Sequence, residues 1–375
     1  MAITVRSFAK INLGLCIGAV RPDGFHELRT IYQTIALHDI IRVQVSRGTG
    51  IQIRCEDPRV PKDESNTCYR IAERAMAVLK AGGRVVIEIE KRLPVQGGLG
   101  AASGNAVATL LALEKALKKE LPEAERLRIA AEVGSDLPLF VIGGTVLGVG
   151  RGEEVYPLPE LAAVACVVAL PKVSVSTPQA FGDWDRLQGL KPSAAEAVEK
   201  SAEINAAPEA LRHPKSSVEL RSSRMGQRPV PPQSVQFQPS AKLTDRFPSD
   251  RILEFGCALA AWLNGPQSGK VSSGVPARGR DRAENPLLDL VRTGIENDFE
   301  RVVFPQYPEL REVKKVLERA GAFYASLSGS GSAIYGLFTS KASAEKAAAK
   351  IRAKGTAATV TRTLTRRQYW KKIFD

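Results

Sequence analysis

The chain has 375 residues, 44% of them hydrophobic, and a formal net charge of +13. That is enough apolar material for two packed domains. No apolar run reaches the ~18 residues of a membrane span, and no charged-then-apolar leader opens the sequence, so a membrane or exported protein is not expected. The five cysteines, Cys16, Cys55, Cys68, Cys166 and Cys257, are scattered and show no Cys-x-x-Cys spacing. They read as reduced core thiols of a cytoplasmic protein. Basic residues are dispersed except for Arg366, Arg367, Lys371 and Lys372 near the end, and aromatics make up only 6%. Stacking platforms for nucleic acid are therefore few, and the basic tail reads as a solvated surface.

In chain order, residues 3–15 read as extended, and 35–45 and 51–55 as strands. Residues 66–80 carry Ile71, Ala72, Ala75, Met76 and Leu79 on one helical face, with Gly82 just beyond. Residues 85–90 alternate as a strand. Helices are expected at 104–119 and 123–133, and strands at 145–149 and 164–170. Residues 286–301 and 308–320 read as helices, 322–327 and 333–338 as strands around a glycine turn, 342–353 as a helix and 357–362 as a last strand. The mixture is α+β in two layers. Residues 188–285 do not fit. Apart from the helix-like segment 252–263, they are rich in Pro, Ser, Arg and Lys and show little apolar periodicity, so they read as a disordered or weakly packed insertion.

The most informative segment is Pro94-Val-Gln-Gly-Gly-Leu-Gly-Ala-Ala-Ser-Gly-Asn-Ala106. A strand enters a glycine-rich turn and the turn opens a helix. Glycines let the backbone approach a ligand and aim several N–H groups at one point, and the helix start adds free N–H groups. This is a phosphate cradle or a bare tight turn. The Walker A pattern is absent. A near miss at Gly265-Pro-Gln-Ser-Gly-Lys270 is one residue short and lacks the metal-binding hydroxyl. A dinucleotide fingerprint would need glycine where Ser103 stands.

Four further segments stand in order around it: Ser7-Phe-Ala-Lys-Ile-Asn-Leu13, Arg21-Pro-Asp-Gly-Phe-His-Glu-Leu28, Gly134-Ser-Asp-Leu-Pro138 and Leu327-Ser-Gly-Ser-Gly-Ser332. The set resembles the GHMP kinase superfamily. The Lys-Ile-Asn and Asp-Gly-Phe-His segments resemble most closely its members that phosphorylate cytidine diphosphate methylerythritol in the non-mevalonate route to isoprenoids and terpenoids. The resemblance covers about residues 1–185 and 285–340. It implies a ribosomal-protein-S5-like N-terminal domain, about 1–158, and a ferredoxin-like C-terminal domain, 159–375, interrupted by the insertion. It also implies a phosphotransferase with an alcohol acceptor, ATP as co-substrate with Mg²⁺, no protein-built metal site, a small-molecule substrate, and a monomer or homodimer without membrane or nucleic-acid partners. A diphosphate substrate together with ATP also suits a positive field.

Residue by residue, the resemblance makes Lys10 and Asp136 the catalytic pair. Alone, Asp136 reads as a helix cap before Pro138 and Lys10 as an exposed strand lysine. As a pair, the lysine holds the aspartate ionised and the aspartate accepts the proton of the substrate hydroxyl. Asn12 shares the face of Lys10. His26 is expected on the hydrogen-bonding edge of cytosine, Phe25 and Phe181 on its ring, and Tyr32 and Thr177 beside the substrate. The nucleotide is expected along Asn66, Lys91, Pro94, Val95, Gln96, Gly97, Gly98, Leu99, Gly100, Ala101, Ala102, Ser103 and Gly104. The superfamily loop usually reads Gly-Leu-Gly-Gly-Gly-Ser-Ser. Here Ala101 and Ala102 replace glycines, and Gly104 replaces the second serine, which is expected to remove a phosphate or Mg²⁺ contact. The 328–331 turn is expected to close over the site. Three alternatives stay open at this point: a superfamily relative acting on another small alcohol, a basic RNA-binding protein on a related fold, and an inactive family member with an altered loop.

Overall fold

The computed structural model describes residues 2–189 and 296–374. The segment 252–263, the near miss at 265–270, Cys257, residues 286–295 and all but the start of the expected insertion lie outside these residues.

The first sheet contains β1 (Ile3–Val20), β2 (His26–Ser46), β3 (Ile51–Cys55), β4 (Arg84–Glu90), β5 (Thr145–Val149) and β6 (Glu154–Pro157). Its order is β3-β4-β2-β5-β6, and β1 pairs antiparallel with β2. Only β3 and β4 run parallel, joined across the sheet by the helix α1 (Thr67–Val78). Helices α2 (Ala101–Leu117), α3 (Glu123–Val133) and α4 (Leu137–Ile142) cover one face. α2 is buried without interruption from Gly104 to Glu114, because the sheet lies on one side and neighbouring helices on the others.

β1 extends five residues beyond the expected strand, and its alternation fails from Ser7 to Gly18, where every residue is buried. The cause is that β1 passes through all three cores. Val5 and Phe8 pack with α1 and α2, Ala9, Ile11 and Leu13 with Tyr335 and Leu337, and Leu15 and Ile17 with Trp184 and Phe299. A strand covered on both sides reads as a continuous buried run.

The second sheet is antiparallel in the order β10-β7-β9-β8, with β7 at Ala165–Leu170, β8 at Tyr324–Leu327, β9 at Ile334–Phe338 and β10 at Ala357–Arg362. Against it lie α5 (Thr177–Leu187), α6 (Glu300–Gln306), α7 (Pro308–Arg319) and α8 (Lys341–Ala353). This is the expected α+β arrangement.

Two expectations fail. Residues 296–299 are not helical; Asn297 bridges to Leu15, and the helix begins only at Glu300. The basic tail is not merely a solvated surface. It forms α9 (Arg366–Lys372), opened by a Thr365–Gln368 capping box. Tyr369 of this helix is buried beside Phe8, its hydroxyl donating to the Phe140 carbonyl at 2.7 Å. Arg366 donates to the carbonyls of Thr145 and Leu158. The aromatic side chains and Arg366 together seat the helix. Cys16, Cys55, Cys68 and Cys166 are all buried.

Candidate active site

Lys10 is buried in the middle of β1, 3% exposed. A buried ammonium must find partners. Its Nζ donates to Asn12 Oδ1 at 2.7 Å and lies 3.4 Å from Asp136 Oδ2. Asn12 in turn donates to Thr30 Oγ1, and Thr30 to the Gly14 carbonyl. The strand period of two places Lys10 and Asn12 on one face, as the sequence implies.

Asp136 stands at the start of α4, but its carboxylate makes no capping bond. Tyr32 donates to its Oδ1 at 3.0 Å, and Oδ2 faces Lys10. The carboxylate is about one-third exposed while its partners are buried. Burial, reinforced by the Asp136 charge, pushes the Tyr32 phenol well above its ordinary range, so Tyr32 stays a donor at neutral pH. The result is a carboxylate held from two sides with an edge open to solvent.

The two glycine turns meet above Lys10. The first is tied to β1 by the Lys10 N–H donating to the Leu99 carbonyl. Gly98 and Gly100 adopt positive φ, 73° and 66°. A Cβ on Gly98 would stand 2.1 Å from the Ser328 carbonyl oxygen, and one on Gly100 3.0 Å from both Lys10 Cγ and Phe140 Cζ. The second turn closes from the other side. Ser328 Oγ donates to the Gly98 carbonyl, and the Ala333 N–H to that of Gly97. Gly329 lies where a Cβ would be 3.5 Å from Lys10 Nζ. Thr177, in the first turn of α5, bonds Ser330 at 2.7 Å.

Gly104 is explained by its surroundings. A Cβ there would point into β1, 2.9 Å from the Phe8 carbonyl oxygen and from Ser7 Oγ. A serine at this position would face the interior, so its absence does not remove a hydroxyl from the mouth of the turn. The expectation of a lost contact is corrected on this point.

Other residues expected at the nucleotide are already committed to protein partners. Asn66 caps α1, accepting from the Cys68 N–H, and donates to the Pro61 carbonyl. Lys91 forms an ion pair with the fully buried Asp39. Asp39 also accepts from the N–H groups of Arg92 and Leu93 and from the Asn105 amide.

At the other end of β2, His26 is 4% exposed and stacks on Phe181, rings 5.0 Å apart and 14° from parallel. Its Nε2 lies 2.7 Å from Asp185 Oδ1. Phe25 is half exposed, with the Arg151 guanidinium 5.0 Å from its ring centre. Sequence reasoning missed Asp185 and Asn297. Asn297 is buried, and its amide donates to the carbonyls of Leu327 and Gly329, holding the second turn in place. The Asn297-Asp298 pair before an apolar helix was a start signal that went unread.

A strand lysine paired with a carboxylate beneath two interlocked glycine turns, carried on this pair of sheets, defines a small-molecule kinase of the GHMP type. Residues 66–144 match the model of the GHMP kinases N terminal domain, and 283–357 that of the GHMP kinases C terminal. The 4-diphosphocytidyl-2-C-methyl-D-erythritol kinase of Solibacter usitatus is 33% identical over 89% of this chain and 80% of its own length. That of Acaryochloris marina is 32% identical over 93% and 91%. A crystal structure of 4-(cytidine 5'-diphospho)-2C-methyl-D-erythritol kinase superposes with a TM-score of 0.60 at 26% identity, covering 96% of this chain and 99% of that one. The chain belongs to the 4-diphosphocytidyl-2-C-methyl-D-erythritol kinases of the GHMP family, and membership implies ATP as co-substrate. Among the described residues no helix is long and apolar enough to cross a membrane.

Proposed function

We propose that this chain transfers the γ-phosphoryl group of ATP to the 2-hydroxyl of 4-(cytidine 5'-diphospho)-2-C-methyl-D-erythritol, releasing the 2-phosphate and ADP. The observation that carries this reading is the Lys10–Asp136 pair at 3.4 Å, with Tyr32 on the carboxylate's other oxygen.

The substrate hydroxyl approaches the open edge of Asp136. As its oxygen bonds to the γ-phosphorus and the bond from that phosphorus to the β-bridging oxygen breaks, the hydroxyl proton passes to the carboxylate. Lys10 stabilises the growing charge on the attacking oxygen, and Asn12 fixes the ammonium. The N–H groups of the 97–103 turn and the start of α2 receive the phosphates. Residues 328–331 cover the reacting centre. His26, Phe25 and Phe181 hold the cytosine, with Thr177 and Tyr32 beside the polyol.

No group of three or more His, Cys, Asp or Glu among the described residues is placed to hold a metal ion. Mg²⁺ accompanying ATP binds mainly through nucleotide phosphates and waters with one or two protein oxygens. Ser103 is the residue proposed to help hold it, which leaves Asp136 free to accept the proton. The ion would neutralise charge between the β- and γ-phosphates. We also place the domain boundary near residue 158, between the last strand of the first sheet and the first of the second.

ATP consumption with the cytidine substrate, for wild type and Asp136→Asn, tests the reading. Turnover by the wild type and a loss of about 10²–10⁴-fold in the variant are expected. Equal rates remove Asp136 from the mechanism. Turnover of other small alcohols in preference to the cytidine substrate overturns the substrate assignment.

A further inference from the structure

Two adjoining clefts lie at the seam between the sheets, outside the site just described. One, of about 400 Å³, is lined by Arg6, Arg92, Arg362 and Lys372 over a floor that includes Phe8 and Ile40. The other, of about 800 Å³, is lined largely by apolar groups, among them Ala163, Val164, Phe323 and Val360. Both include Ala36 and Arg362 in their walls. The seam has a local cause. Pairing of β1 with β2 jumps from Phe8–His38 to Ala9–Ile35, so Ala36 and Leu37 bulge out of register toward the second sheet. Thr363 bridges to Ile35 and the Leu364 N–H donates to the Thr34 carbonyl, closing the seam beside the bulge.

The first cleft gathers four permanent cations. Glu90 is shared between Arg92 and Arg42, and Arg6 donates to the Lys372 carbonyl. Guanidinium groups lining one concavity suit phosphate oxygens. The neighbouring groove offers apolar walls and volume in the range of small-molecule sites. We propose that the paired clefts bind a phosphorylated amphiphile, its phosphate among the arginines and its hydrocarbon part in the alanine-lined groove.

The clefts also touch the entrance to the nucleotide turn. Arg92 lines the basic cleft, and its N–H and that of Leu93 are held at 2.7 Å by Asp39, the residue after His38. Pro94 and the glycine turn follow directly. An occupant drawing on Arg92 shifts this segment and changes the KM for ATP more than kcat.

The test is calorimetric titration with octyl phosphate, below its micellar concentration, of protein whose active site is filled with a non-hydrolysable ATP analogue and the cytidine substrate. Inorganic pyrophosphate and octyl glucoside are titrated alongside. One site at least about tenfold tighter for octyl phosphate than for either control is expected. The Arg362→Ala, Lys372→Ala double variant loses about tenfold or more of that affinity while turning over its substrates normally in the absence of the amphiphile. Ala163→Asp leaves octyl phosphate no tighter than pyrophosphate. Equal affinities of the wild type for octyl phosphate and pyrophosphate overturn the proposal, as does unaltered binding in both variants. Vesicles of phosphatidylcholine with phosphatidic acid separate the sources of such a phosphate. Arg362-dependent sedimentation with vesicles, without binding of dispersed octyl phosphate, assigns the patch to a membrane surface and also overturns it.

Discussion

His26 Nε2 stands 2.7 Å from Asp185 Oδ1, with both side chains buried. A carboxylate only accepts, so Nε2 carries a proton, and in the neutral form of the ring Nδ1 is an acceptor. An acceptor suits the exocyclic amino group of cytosine and not the carbonyl oxygen of uracil. Asp185→Asn removes this bias, because an amide supports either tautomer. The cytidine substrate's advantage over a uridine-linked analogue is expected to fall by roughly 10–100-fold, the value of about 1–3 kcal/mol of base discrimination. Most of the loss should appear in KM, with kcat nearly kept. An unchanged ratio of the two substrates would show that Asp185 only fills space.

Tyr32 separates positioning from proton transfer at the carboxylate. Its hydroxyl holds Asp136 Oδ1 while Oδ2 faces Lys10. Tyr32→Phe leaves the ring in the core and frees one carboxylate oxygen. A fall in kcat of about tenfold is expected, well short of the loss on removing a general base, with the KM for ATP little changed. Lys10→Ala should cost far more, because it removes the cation and leaves Asn12 without its donor. A Tyr32→Phe enzyme as impaired as Asp136→Asn would mean that the phenol itself takes part in the chemistry.

Gly98 and Gly104 look alike in the sequence and should behave differently. Alanine at 98 meets the Ser328 carbonyl and holds an unfavourable φ, so it forces the two turns apart. The KM for ATP should rise sharply and the melting temperature should drop. Serine at 104 points into β1. It should cost about 1–3 kcal/mol of overpacking with little effect on the KM for ATP, and Ser7→Gly should restore part of the stability. A Gly104→Ser enzyme that binds ATP more tightly would mean that this position faces the phosphates after all.

Much of this molecule was readable from local chemistry. The period of two put Lys10 and Asn12 together, Pro138 marked the start of α4, and the glycines announced a close backbone approach. What was hidden depends on distant partners. α6 carries Pro305 inside it, and although Asn297-Asp298 marks its start, the bridge from Asn297 to Leu15 joins it to a strand that no local pattern names. α9 looked like charged tail because its anchors, Tyr369 and Trp370, stand among four basic residues, and the groups that receive them, Phe8, Phe140 and Ile142, are far away in sequence. Asp185 lies 159 residues from His26, and only folding brings the two into contact. Lys91 and Asn66 stand as expected nucleotide contacts, while their bonds to Asp39 and to a helix end could not be seen in one dimension.

The buried phenols and thiols make the fold sensitive to alkali. Burial raises Tyr32, Tyr324, Tyr335 and Tyr369 above their ordinary values, and it pushes the Cys68 thiol up to about 12 and Cys166 upward as well. In the unfolded chain these groups ionise near pH 9 to 10, while in the folded chain they keep their protons. Unfolding therefore releases protons, and stability, fully present below the unfolded values, declines as pH rises through and beyond them. Each group contributes up to about 1.4 kcal/mol per pH unit across its own window. Thermal melts should hold steady from pH 7 to about 8.5 and then fall progressively more steeply. Cys68→Ala should flatten the part of the decline that begins near pH 9. A melting temperature independent of pH up to 11 would mean that these side chains reach water in the native state, and the three-core packing along β1 would have to be redrawn.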